Sequence, residues 1–167
     1  MEPKAILDFI CRRRSVRRYQ AKEIPTETLE LLMKAAMAAP SGNNVQPWEF
    51  VIVQDPPIKE ALSRVHPWVR MAAEASAAIV VLGNKSSEWW EDDCAAATEN
   101  LLLAAANIGL GTVWCGIKES QAPAVRKILS IPAELEVLCI VPIGYPAESP
   151  PPHTKYRQDK IHWDRYG

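Results

Sequence analysis

At 167 residues the chain has the length of a single domain and can bury a core without disulfides or metal ions. Hydrophobic residues make up 48% and charged residues 23%, ordinary values for a soluble globular protein. A net charge of -1 supplies no field that would draw the chain to nucleic acid or to a membrane, so neither is expected as a partner.

The N-terminus, MEPKAILDFI, has no long apolar stretch and no small-residue cleavage site, so no signal peptide is expected. A short helix is predicted from Ala5 to Arg12, with Ile6, Leu7 and Ile10 on one face. A second helix opens at IPTETLE, repeats Leu29, Leu32, Met33 and Ala36 at helical spacing, and is stopped by Pro40. EFVIVQD reads as a strand, IKEALSRV as a helix, and AAIVVLGN as a buried strand that is apolar on both faces. In DDCAAATENLLLAAANIGLG, Asp92 and Asp93 favour the positive end of a helix that Gly109 closes. That helix is apolar nearly all round, so it needs cover on nearly all sides, part of it from a second subunit. A helix at APAVRKIL and a strand at EVLCIVPIGYP follow.

The tail AESPPPHTKYRQDKIHWDRYG is Pro-rich, then basic and aromatic. It reads either as disordered or, because of Trp163 and Tyr166, as packed against something. No apolar run reaches the roughly 18 residues of a membrane span. The interleaving of helices with few strands predicts an α+β fold, a single domain over 1–167 with 148–167 as an extended tail.

Cys11, Cys94, Cys115 and Cys139 form no C-x-x-C pair, and His66, His153 and His162 are equally scattered. No metal site is expected, and the thiols read as buried or idle in a reducing cytoplasm.

Three stretches carry more chemistry than their elements require. In CRRRSVRRY, Arg12, Arg13, Arg14, Arg17 and Arg18 surround Ser15. Such arginines complement a helix C-terminus, or they offer guanidinium forks to phosphate oxygens, with the serine hydroxyl as a further donor. Ser41, Gly42, Asn43 and Asn44 are turn formers after Pro40. Glycine also lets a flat ligand approach the backbone, and asparagine offers a donor and an acceptor to a heterocycle edge. The glycines of GLGTVWCG end a helix and start a strand, or bring backbone N–H groups against a ligand.

In this order, RRRSVRRY, AAMAAPSGNNVQPWEFVIV, ENLLLAAANIGLGTVWCG and IGYP with a basic tail resemble the nitroreductase family of flavin mononucleotide (FMN) enzymes. The likeness covers most of the chain. It implies a small, mostly antiparallel sheet flanked by helices, in an intertwined homodimer with two FMN sites at the interface. By the same resemblance Arg13, Arg14, Ser15 and Arg17 grip the phosphate and ribityl end. The irregular PPPHTKYR does not fix which tail cation joins them, so Arg157 and Lys155 are both candidates. Pro40, Ser41, Gly42 and Asn44 line the ring from the other subunit, while Gln46, Pro47 and Trp48 fix the loop and begin a strand. The backbone around Trp114, Cys115 and Gly116 faces the N5 and O4 edge, so Cys115 acts through its main chain and no catalytic side chain is expected.

The implied activity is ping-pong hydride transfer through the flavin, from NAD(P)H to a nitroaromatic, quinone or other electron-poor acceptor. A dehalogenating or flavin-fragmenting enzyme on the same fold, or a flavin-binding redox sensor with little turnover, are the alternatives. The chain is short for the family: the helical insertion over the flavin is missing, and Ile117 and Lys118 stand where an aromatic is common.

Overall fold

The computed structural model describes residues 3–153 and 155–166. In chain order the elements are α1 (Pro3–Arg12), α2 (Thr26–Ala36), β1 (Trp48–Val53), α3 (Pro56–Ser63), β2 (Ala77–Asn84) and α4 (Trp90–Asn107). They continue with β3 (Gly111–Thr112), β4 (Cys115–Gly116), α5 (Ala122–Leu129) and β5 (Leu135–Gly144). Short 3-10 turns lie at Gly42–Asn44, Pro67–Ala72 and Gln158–Lys160.

The five strands form one sheet in the order β1-β2-β5-β3, with β4 also paired to β5, and every strand pairing is antiparallel. The α+β expectation and its antiparallel sheet hold. β2 is the centre: Ile79 and Val81 face the layer of α2 and α4, while Ala78, Val80 and Leu82 face the layer of α3 and α5. All five are essentially inaccessible, which is why this strand shows no polar alternation in the sequence. In β5 the register shifts opposite Val81 and Leu82, leaving Leu138 unmatched. Across that bulge the alternation changes face: Leu135 and Val137 join one layer, Cys139, Val141 and Ile143 the other.

α2 ends at Ala36, four residues before Pro40. Its last turn tightens, with Ala38 N–H bonding Ala35 O and Ala39 N–H bonding Ala36 O, and a residue preceding proline disfavours the helical region. The 3-10 turn at Pro67–Ala72 is absent from the sequence reading, being too short for periodicity to register.

α4 buries Cys94, Ala97, Leu101, Leu102 and Ala105 in the core. Ala95, Ala96, Leu103, Ala104 and Ala106 stay only half-buried. On α1 the predicted apolar face forms but is not covered: Ile6, Leu7 and Ile10 are 43%, 64% and 46% exposed. Every described residue from Lys155 onward is exposed too, Trp163 and Tyr166 included. Among the described residues no helix is long and apolar enough to cross a membrane.

Three of the four thiols are buried, and burial pushes Cys94 up to about 12, Cys115 up to about 11 and Cys139 higher still. Since the thiolate is the nucleophile, these three are expected to resist alkylation at pH 8 until the chain is denatured. Mass spectrometry after native and denaturing labelling checks this, and native modification of any of the three would contradict it.

Candidate functional site

The segment after α1 is laid along the sheet. Ser15 forms a parallel bridge with Thr112 of β3, and Val16 N–H donates to Thr112 O at 2.9 Å. Tyr19 bridges Pro146, and its buried hydroxyl lies 2.7 Å from Val16 O and 3.1 Å from Pro142 O. The close approach needs glycine: a Cβ on Gly111 would stand 2.7 Å from the Val16 side chain. Glu148 locks the other edge, one carboxylate oxygen accepting from the backbone N–H of Arg17 at 2.5 Å and of Arg18 at 3.2 Å. The arginine stretch and GLGTVWCG are thereby neighbours.

Four of the five arginine side chains divide their work. Arg12 Nε donates to Asp8 O, and Arg14 Nη1 donates to the carbonyls of Cys11 and Arg13, both at 2.8 Å, so these two cap the end of α1. Arg14 Nε also holds Pro151 O of the tail at 3.0 Å. Arg13 pairs with Glu99 of α4 at 3.3 Å. Arg17 opens onto a small cavity of about 250 Å³, shared with Trp68, Val113, Trp114, Cys115 and Gly116. A neighbouring hollow of about 300 Å³ takes in Phe9, Arg13, Arg14, Val16 and Leu110.

Trp68 was not singled out by the sequence. His66 caps the short turn by accepting from Trp68 N–H at 3.2 Å, Cys115 Sγ donates to Trp68 O at 3.0 Å, and the indole is left 73% exposed at the cavity. Cys115 therefore holds backbone in place, and its raised pKa keeps it a thiol.

The loop of Pro40, Ser41, Gly42 and Asn44 is built for shape. Asn43, Asn44 and Gln46 have φ of 50°, 57° and 53°, the left-handed region that asparagine tolerates. Gln46 N–H donates to Ser41 Oγ at 3.0 Å and Gln46 Nε2 to Asn44 Oδ1 at 2.9 Å, so Gln46 fixes the loop and Trp48 starts β1. The loop is anchored to the start of α4 by Asp93, whose Oδ1 accepts Gly42 N–H at 2.9 Å. Asp93 is buried, and its Oδ2 has no partner among the described residues. The acidic pair at the helix start was legible; which aspartate turns inward was not. Gly42, Asn43, residues 45–49, Asn84 and residues 86–89 bound an open groove of about 410 Å³, with Trp89 and Val45 half exposed along it; Asn44 does not line it.

Asp93→Ala is expected to cost about 1 kcal/mol, the lower end of the penalty for stranding a donor, since the Gly42 N–H is only partly buried. Asp93→Asn keeps an acceptor for Gly42 N–H and is expected to cost less. Thermal melts rank the two, and an unchanged melt for the alanine variant would show the anchor to be idle.

This loop and the arginine hollow lie at different levels of α4. Asp93 is near its start, whereas Ala106, Gly109 and Leu110 border the hollow, about 20 Å further along at 1.5 Å per residue. The groove and the Arg17 cavity share no lining residue. One chain thus unites two of the three predicted constellations. In the tail, Arg157 is paired with Asp159, and Lys155 is exposed.

A family model described as Nitroreductase family matches residues 10–78 and 63–145. A candidate NADH dehydrogenase/NAD(P)H nitroreductase of Methanothermobacter thermautotrophicus is 36% identical over 96% of this chain and 87% of its own length. Its namesake in Archaeoglobus fulgidus is 38% identical over 96% and 98%. Among solved structures, a candidate enzyme of the same name from Bacteroides thetaiotaomicron superposes with a TM-score of 0.93 at 41% identity, covering 97% of this chain and 98% of that one. Iodotyrosine deiodinase bound to FMN and 3-iodo-L-tyrosine superposes at 0.84 with 27% identity, over 96% and 100%.

Proposed function

The chain belongs to the nitroreductase family, and from that premise we propose that it binds FMN and passes hydride from NAD(P)H to flat, electron-poor acceptors such as nitroaromatics and quinones. The observation that carries the reading is the Ser15–Thr112 bridge, which lays the arginine segment beside β3 so that Arg17 shares a cavity with Trp114, Cys115 and Gly116. The donor set fits the cofactor: forks and a hydroxyl at Arg13, Arg14, Ser15 and Arg17 for a phosphate, then an aromatic-lined cavity with main-chain donors for a ring. The resemblance adds Lys155 or Arg157 of the tail as a further phosphate ligand, and Arg157 would have to leave Asp159 to serve.

Bound FMN supplies the hydride chemistry itself. The residues here bind and orient: the arginines fix one end, and the backbone of 114–116 faces the ring edge. No side chain is assigned as acid, base or nucleophile. Pro40, Ser41, Gly42 and Asn44 do not line the Arg17 cavity of their own chain, and in this reading a second copy provides them. The uncovered faces of α1 and α4 and the exposed tail are the surfaces that copy would cover.

The connection from β2 to α4 is only residues 85–89, which leaves the groove open and favours small planar acceptors over an enclosed halogenated substrate. The absorption spectrum of the purified protein, with NADH and NADPH oxidation measured with and without a quinone, tests the proposal. Flavin bands and quinone-stimulated oxidation are expected. Failure to take up FMN would overturn it, and bound flavin without oxidation of either nicotinamide would point to the sensor.

A further inference from the structure

The Pro-rich start of the tail brings one more group to the arginines. Arg14 Nε holds Pro151 O at 3.0 Å, which sets the chain two residues later beside the end of α1. There His153 is half-buried, and its Nδ1 is sealed from solvent with no hydrogen-bond partner among the described residues. The charged groups that act on the ring are Arg14, Lys155 and Arg13, all cations. The carboxylates nearby are committed elsewhere: Glu99 to Arg13, Glu148 to the amides of Arg17 and Arg18. A ring nitrogen shielded from water, with cations as the charged groups acting on it, is suited to an anion.

We propose that His153 is a ligand of the flavin phosphate, one that contributes its charge only while the imidazole is protonated. This rests on the FMN reading above and adds a residue to it. A phosphate monoester brings about -1.5 to -2 of charge and three acceptor oxygens, enough to meet Nδ1–H together with the two guanidinium groups. The cofactor end is then held by an element whose grip depends on pH, while the arginines stay charged throughout.

The sign follows from the surroundings. In the flavin-free protein, loss of hydration and then Arg14, Lys155 and Arg13 hold the His153 pKa below its ordinary value, against a smaller upward pull from its own backbone. A phosphate beside it raises that pKa, so FMN binding takes up a proton. The His153 contribution is complete at low pH and fades as pH rises through the bound-state pKa, within the roughly pH 5–8 range in which histidines titrate. The second ionisation of the phosphate, near pH 6, acts in the opposite direction but equally in every variant. The quantity to read is therefore the ratio of wild-type to His153→Gln affinity.

FMN and riboflavin are titrated into flavin-free wild type, His153→Gln, His153→Lys and Arg13→Ala/Arg17→Ala from pH 5.5 to 8.5, following flavin fluorescence. At the acidic end His153→Gln should bind FMN about tenfold more weakly, with riboflavin affinity within about twofold of wild type. The ratio should fall toward one at the alkaline end, where His153→Lys, still charged, should bind FMN more tightly than either. Equal losses for FMN and riboflavin, or a pH-independent ratio, would overturn the proposal. If the arginine pair also binds FMN like wild type, the phosphate reading itself fails; if that pair is weakened while His153→Gln is not, only the histidine's role does. Circular dichroism melts confirm that each variant is folded.

Discussion

Replacing Arg13 and Arg17 together by alanine should weaken FMN binding at least about a hundredfold while leaving riboflavin binding nearly unchanged. Each charge-assisted contact to a phosphate contributes roughly 1.5–3 kcal/mol, and every 1.4 kcal/mol is about tenfold. The lower end of that range applies. Arg13 already leans on Glu99 at 3.3 Å, and Arg17 is exposed, where salt screens it. Raising the ionic strength should therefore weaken the wild type more than the double variant. Fluorescence titration at two salt concentrations reads both effects. A double variant that titrates like the parent would remove the phosphate from this end of the site.

The largest loss of stability is expected from Leu101→Ala in the middle of α4. Leu101 is fully buried in the core that also holds Ile79, Val81 and Val141. Its helical neighbours one turn away are Ala97 and Ala105, side chains too small to move into the space left behind. Leucine-to-alanine changes at such sites cost about 2–5 kcal/mol, a large part of the roughly 5–15 kcal/mol that holds a domain together. For a chain of this length that lowers the melting temperature by roughly 4–20 °C. Leu103, half-buried on the same helix, provides the contrast. Its alanine variant should lose less, and lose it in a way that depends on protein concentration if a second copy covers that face. Equal, concentration-independent losses at both positions would show α4 to be covered within one chain.

What the sequence made legible was what local chemistry encodes. β2 read correctly because a strand sandwiched on both faces must be apolar at every position, and α4 because its acidic start and Gly109 mark its ends. The three constellations stood out because arginines, glycines and asparagines crowd together for few structural reasons. Their spatial grouping was not legible. Ser15 meets Thr112, and Gly42 meets Asp93, through contacts that leave no periodic trace in the chain. Trp68 was hidden for a different reason: its 3-10 turn is six residues long, and its place at the cavity depends on a bond from Cys115. The bulge at Leu138 escaped notice because Leu, Cys and Ile occupy either face equally well.

The Ser15–Thr112 bridge also imposes an order on biosynthesis. The arginine segment leaves the ribosome early and waits for a partner strand about a hundred residues downstream, roughly 5–20 s at ordinary elongation rates. Closing so long a loop is unfavourable until the β2–β5 pairing has given β3 a sheet to join, and β5 is made later still. The cofactor-gripping end of the molecule is thus among the last parts to assemble, and a nascent chain carries Arg13 without its partner Glu99 until α4 has been made. A pulse-labelled chain should become protease-resistant across β1 and α3 before it acquires the ability to retain flavin.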